Sequence, residues 1–268
     1  MKSFATQYTQ GVITLCEDEL LTITSSIGVL LLQNGAEIYR TEESMERIFH
    51  AYEANGNCFV IPSCIIVSLT SADGHTLTKT IRISIHGADF NKIILLNELC
   101  RRICRDIPHY DEILTEIEQI RQQPSQPVPI QFMAYSLVAF SFTLFFGGTF
   151  LDAISAAIFS LGTKWLFQWM DTHRVNRFFI HLAASFFSAS LSILLAICGL
   201  GVHADKMILG AFMNLVPGVS ITNAVRDVMA GDLLSGMTRA MDALLVGTAM
   251  ALGAGTAFSI ALLLWKSI

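Results

Sequence analysis

Four stretches of 19 to 25 residues in the second half of the chain contain no Asp, Glu, Lys or Arg: residues 130–151, 178–202, 207–225 and 243–265. At a helical rise of ~1.5 Å per residue, each is long enough to cross the ~30 Å hydrocarbon layer of a bilayer. Charge is distributed to match. Residues 1–125 hold 26 of the 39 charged side chains, and residues 126–268 hold 13. Two solvents are implied, water for the first half and lipid for the second.

Composition agrees, with 53% apolar and 15% charged residues against roughly 25% charged in soluble domains. A net charge of -5 supplies no basic field for nucleic acid. Residues 153–170 form a weaker fifth span because Lys164 interrupts them, with Trp165 and Trp169 following it. A snorkelling lysine beside tryptophans suits the interfacial end of a span. The expected fold is therefore a membrane all-α bundle of about five helices, preceded by an α+β cytoplasmic domain. Its parts are a domain over 1–121, a linker over 122–129 and a membrane domain over 130–268. Four spans plus a re-entrant segment is the alternative.

No signal peptide is expected, since the first apolar run is short and Lys2 stands alone. Arg101, Arg102, Arg105 and Arg121 precede the first span, Arg174 and Arg177 follow the second, and Arg226 and Arg239 follow the fourth. The opposite side has only Lys206 and Lys266. The positive-inside rule then puts the N-terminal domain in the cytoplasm and the C-terminus outside, in the cell (inner) membrane. Five of the six cysteines would sit in reducing cytosol, so disulfides are not expected.

In the first domain, helical spacing over residues 16–33 stops at Asn34-Gly35, and a charged helix follows over 36–52. Residues 59–69 are apolar and β-branched, with Pro62 marking an edge or bulge. Asp73-Gly74 supplies a hairpin turn. Ile81, Ile83 and Ile85 then alternate with Thr80, Arg82 and Ser84. Helices return over 90–105 and 110–121, before the proline-broken linker QQPSQPVP.

The chemistry-bearing segment is NLVPGVSITNAVRDVMAGDLLSGMTRAMD, residues 214–242. Pro217 removes an amide donor near mid-span and Gly218 adds backbone freedom, so the span should break there. Free carbonyls near Asn214 and free amides near Gly218 would face each other, as at transporter substrate sites. Asn214, Ser220, Thr222 and Asn223 supply polar side chains. A plain proline kink is the other reading. Arg226, Asp227, Asp232, Arg239 and Asp242 form either a gate and charged vestibule or a solvated loop, and Arg239 and Asp242 share a helix face. Gly231 and Gly236 suit close packing. No span has a carboxylate at its centre; Asp152 and Asp205 lie at outer ends. His181 reads as interfacial. Glu37, Arg40, Glu43 and Arg47 can form an ion-pair ladder or a solvated face. Cys100 and Cys104 alone make a poor metal site, and no nucleotide-binding or hydrolase motif occurs, so neither metal, cofactor nor enzyme is expected.

GAEIYRTEESMERI (residues 35–48) with FVIPSCIIVSLT (59–70) resembles the cytosolic head of the bacterial threonine/serine exporter family. VPGVSITNAVRDVMAGDLLSGMTRAMDAL (216–244) resembles that family's membrane signature. The resemblance implies export of small polar metabolites, either threonine and serine or succinate-like dicarboxylates. It implies the head-bearing subunit of a split system, completed by a small membrane subunit into a hetero-oligomer. Carried over from the motif, the site residues are Asn214, Pro217, Gly218, Asn223, Arg226, Asp227, Asp232, Gly236, Arg239 and Asp242, with Glu37, Arg40 and Glu43 in the head. A membrane sensor whose head is the effector is the alternative function; an enzyme using Glu37 and Arg40 is a third.

Overall fold

The computed structural model describes residues 15–83, 87–124 and 126–266. The chain divides into two compact units, one of Met1–Ser125 with Asn223–Arg239, the other of Gln126–Thr222 with Ala240–Ile268. Lys2, Ser84, Ile85 and Ser125, named above, lie outside the described residues.

The α+β unit opens with α1 (Glu17–Gln33) and α2 (Ile38–Ala51). Gly35, at φ +92°, turns the chain between them, and a Cβ there would meet the Gly87 carbonyl at 2.9 Å. Strands β1 (Asn55–Ile61), β2 (Cys64–Thr70) and β3 (Thr76–Arg82) form an antiparallel meander in the order β1-β2-β3. The apolar run over 59–69, read as a single strand from sequence, is in fact parts of two. Ile61 pairs with Cys64, so Pro62-Ser63 is the hairpin turn, where a missing amide donor breaks no ladder bond. The Asp73-Gly74 turn joins β2 to β3, with Gly74 at φ +88° and the His75 amide donating to Asp73 at 3.3 Å.

Helices α3 (Phe90–Asp106) and α4 (Tyr110–Gln122) complete the chain's first pass through this unit. Ile23, Ile27, Ile38, Met45, Ile65, Val67, Leu96, Leu99 and Ile103 are buried in one core. Gly56 lies so close to the Phe49 ring that a Cβ would sit 2.3 Å from it, which sets how tightly β1 packs on α2.

The helical unit contains α5 (Val128–Phe145), α6 (Phe150–Thr172), α7 (Arg177–Ile197) and α8 (Ala204–Phe212). Helix α9 (Gly218–Ala230) begins in it, and α10 (Leu233–Lys266) contributes its residues from Ala240 onward. Among the described residues four helices are long and apolar enough to cross a membrane: Val128–Phe145, Phe150–Thr172, Arg177–Ile197 and Leu233–Leu264. The chain is a multi-pass membrane protein. Four of the five expected spans are single helices of this length among the described residues. The segment 207–225 is divided between α8 and α9, because Pro217 cannot donate to the preceding turn. The Lys164 segment, by contrast, belongs to a full-length helix. Lys164 lies 5.7 Å above the Tyr135 ring, a cation–π contact that accommodates its charge among the helices.

Small and hydroxyl residues hold these helices together, as expected where lipid offers no hydrophobic driving force. Thr163 and Ser188 share a hydrogen bond of 2.9 Å between α6 and α7, and Ser136 donates to the Ala157 carbonyl at 3.0 Å between α5 and α6. Gly253 faces Ser185 and the Leu182 carbonyl, where a Cβ would stand 2.1 and 2.3 Å away. Asp152, expected at an outer end, is wholly buried. It closes a capping box with Thr149 and accepts the amides of Val202 and His203 at 2.6 and 3.2 Å. It therefore pins the α7–α8 connection to the start of α6.

Gly210 tests this packing. A Cβ there would lie 2.1 Å from the Thr143 hydroxyl and 2.8 Å from the Ala139 carbonyl. Gly210→Val is expected to destabilise the purified protein by ~1–3 kcal/mol, read as a lower melting temperature in detergent. Substitution at Gly247, around which nothing lies within 4 Å, should leave it unchanged.

Candidate functional site

The turn from α1 to α2, residues 35–38, exposes backbone groups that neither helix can satisfy. In the α+β unit, these groups are taken up by side chains from residues 223–239. The Asn223 amide donates to the Gly35 carbonyl at 3.2 Å. The Arg239 guanidinium donates to the Ala36 carbonyl at 2.9 Å. The Ile38 amide, at the first turn of α2, donates to the Asp227 carboxylate at 3.3 Å. A carboxylate there also sits at the positive end of the α2 dipole.

Two ion pairs reinforce this clamp. Arg226 pairs with Glu37, the N-cap residue of α2, and Arg40 stands 3.9 Å from the same carboxylate. Arg239 Nε lies 3.2 Å from Asp227 Oδ2. Asp227 is fully buried and Glu37 nearly so, while Arg226 remains half exposed. Burial raises the Asp227 carboxyl above its ordinary range, and the Arg239 charge only partly opposes this. Asn223, Arg226 and Asp227 can act together because spacings of three and four place them on one face of α9.

Close approach of α9 and α10 fixes the other partner. A Cβ on Gly236 would fall 2.4 Å from the Val228 side chain and 2.8 Å from the Ala224 carbonyl. Gly231, at φ +101°, makes the turn between the helices. The Asp232 amide donates to the Asp227 carbonyl at 2.9 Å. Arg239 and Asp242 lie three apart on α10, but Arg239 pairs with Asp227, while Asp242 is exposed and belongs to the helical unit. Of the head residues, Glu37 and Arg40 join the clamp, while Glu43 pairs with Arg47 at 2.6 Å. A cavity of about 210 Å³ borders the clamp, with Glu37, Arg40, Asn223 and Arg226 in its wall. It thus offers both signs of charge to a small polar solute.

The broken segment lies in the helical unit. Helix α8 ends at Phe212, residues 213–217 turn, and α9 starts at Gly218. The Val216 amide reaches the Phe212 carbonyl at 3.0 Å, and the Gly218 amide reaches the Val216 carbonyl at 2.8 Å. Asn214 is half-buried and donates to the Tyr135 carbonyl at 3.0 Å, which leaves its side-chain oxygen as an acceptor. Thr222 donates back to the Gly218 carbonyl at 3.0 Å. The structure therefore separates the sequence-derived set. Asn214, Pro217, Gly218, Ser220 and Thr222 lie at the break, whereas Asn223 goes with the clamp. Sequence reading did not find Ala36 and Ile38 as clamp points, because backbone groups carry no residue signature.

A family model described as "Putative threonine/serine exporter" matches residues 22–261. A curated relative from Mycobacterium tuberculosis (strain ATCC 25618 / H37Rv), described as "Probable threonine/serine exporter", is 20% identical over 251 residues. That alignment covers 91% of this chain and 46% of the relative, so the chain spans about half the length of the curated relative it matches. No solved structure matches.

Two outcomes follow from the clamp. Asp227→Ala strands the buried Arg239 charge and should cost ~3–5 kcal/mol, whereas Asp227→Leu with Arg239→Met should recover most of that loss in the same denaturation assay. Glu42, on α2, accepts the Val60 amide at 2.7 Å. Burial, with Asp232 and Glu46 adding repulsion, raises its carboxyl above the ordinary range. Its stabilising contribution is therefore complete below the unfolded value of ~4.3 and is lost as pH rises through the native value. Glu42→Gln should match wild type in acid and gain in relative melting temperature toward neutral pH.

Proposed function

The chain belongs to the threonine/serine exporter family, and from that premise we propose that it is a transporter component exporting small polar metabolites by alternating access. Its cargo is a threonine/serine-type amino acid or a succinate-like carboxylate. The observation that carries the mechanism is the interruption between α8 and α9. Helix ends inside a bilayer are tolerated where they line a polar cavity or are buried in protein, and they offer oriented dipoles to a solute. The first-turn amides of α9, with Ser220 and with Thr222 once it releases the Gly218 carbonyl, receive a carboxylate. The carbonyls ending α8, with the free Asn214 oxygen, receive an ammonium group.

The clamp on residues 35–38 acts as the gate. Helix α9 bears the substrate seat at one end and Asn223, Arg226 and Asp227 at the other. Opening the Glu37–Arg226 and Asp227–Arg239 pairs frees that helix to move between states. Arg174, in the short α6–α7 connection, and Arg177, at the start of α7, support an inner-membrane orientation with the N-terminus cytoplasmic. The exposed apolar side chains of α5 and α10, such as Met133, Leu137, Leu244 and Leu252, support a second membrane component that completes the pathway.

Labelled-threonine efflux from cells tests the seat. Asn214→Ala with Pro217→Ala is expected to lower efflux about tenfold, the equivalent of ~1.4 kcal/mol, at unchanged membrane abundance. Undiminished efflux would remove the broken segment from the mechanism.

A further inference from the structure

A second, larger cavity of about 510 Å³ opens between α2 and α3 in the α+β unit. Arg40, Arg47, Arg101 and Arg105 line it with His50, and Glu43 is the only carboxylate in its wall. Helical spacing explains the gathering. Arg40, Glu43, Arg47 and His50 follow one another at intervals of three and four on α2, and Arg101 and Arg105 do so on α3. Sequence reading counted Arg101 and Arg105 among charges flanking a span. They lie more than twenty residues before α5, beyond the range in which such charges set topology.

The guanidiniums are unequally neutralised. Arg47 pairs with Glu43 at 2.6 Å, and Arg105 makes a bidentate pair with Asp106 at 2.7 and 2.9 Å. Arg40 has only its distant pairing with Glu37. The side chains of Arg101 and His50 make no hydrogen bond or ion pair among the described residues. Folding thus draws like charges from two helices around one concavity, at a cost that a bound anion would offset.

We propose that this cavity is a binding site for a small polyphosphate group, as carried by a nucleotide or by an inorganic phosphate chain. Guanidinium forks match phosphate oxygens in bidentate geometry. Glu43, Asp106 and Glu37 offset three of the four guanidiniums in part and leave Arg101 uncompensated, and several guanidinium forks around one concavity suit a ligand with several anionic oxygens, which a monocarboxylate does not supply. The volume lies within the range of small-molecule sites. Among the described residues no Phe, Tyr or Trp lines the wall, so the site reads the phosphate chain and not a base. Arg40 also lines the smaller cavity at the clamp. An anion that engages Arg40 therefore draws it from Glu37 and changes the charge balance of the gate. The site goes beyond the export reading and stands without it.

The test is calorimetric titration of the full chain in detergent with tripolyphosphate, ATP and acetate at low salt. Tripolyphosphate and ATP should bind with similar affinity, weakening steeply as salt rises, and acetate should not saturate. A clear preference for ATP would overturn the assignment to the phosphate chain. Arg101→Gln should weaken tripolyphosphate about tenfold, while Arg121→Gln, an exposed arginine on α4, should have no effect. Glu43→Gln should tighten it, because it removes the opposing carboxylate and frees Arg47. Absence of saturable tripolyphosphate binding, equal losses from the Arg101 and Arg121 variants, or weakening by Glu43→Gln would overturn the site.

Discussion

The α+β unit depends on one buried charge. Asp227 lies out of reach of water, next to the first amide of α2 and the Arg239 guanidinium. A carboxylate in that position is tolerable only while both partners are present, since an unpaired buried ion costs several kcal/mol. Its place therefore fixes the places of α2, α9 and the start of α10. Glu37 and Arg226 form a more accessible pair beside it, where the Coulombic gain is smaller and exchange with solvent or solute is cheaper. One tight pair and one loose pair on a single turn make a contact that is specific in register yet able to open.

A different rule governs the helical unit. There, close approach depends on what is missing from side chains. Gly210 and Gly253 admit a neighbouring backbone, and hydroxyls such as Thr163 and Ser188 bond across the gap. These terms are individually small, and many apolar side chains still face outward. Such a bundle changes packing at lower cost than a dense aqueous core, which suits a family whose members are described as exporters.

Much of this was legible in the sequence, where the signal was local. The Asn34-Gly35 stop, the Asp73-Gly74 turn, the α3 and α4 helices and the Pro217 break each follow from the backbone chemistry of one or two residues. Pro62 misled because a β-branched run on both sides of a turn looks like one long strand. Lys164 made a full-length helix look like a weaker span, because its charge is accommodated by Tyr135, a residue 29 positions earlier. The clamp was the least legible feature. Both of its halves stood out as motifs, at residues 35–48 and 216–244, yet nothing local says that they touch. Glu37 and Arg226 are 189 residues apart, and pairing at that distance is a property of the fold.

That separation sets an order of assembly. The turn at residues 35–38 leaves the ribosome early, whereas Asn223, Arg226, Asp227 and Arg239 follow only after α5, α6 and α7 have been made. Until then the amide of Ile38 and the carbonyls of Gly35 and Ala36 must rely on water. The α+β unit thus matures only after most of the helical unit exists, and a nascent chain stalled before α9 would carry a head still waiting for its final stitches.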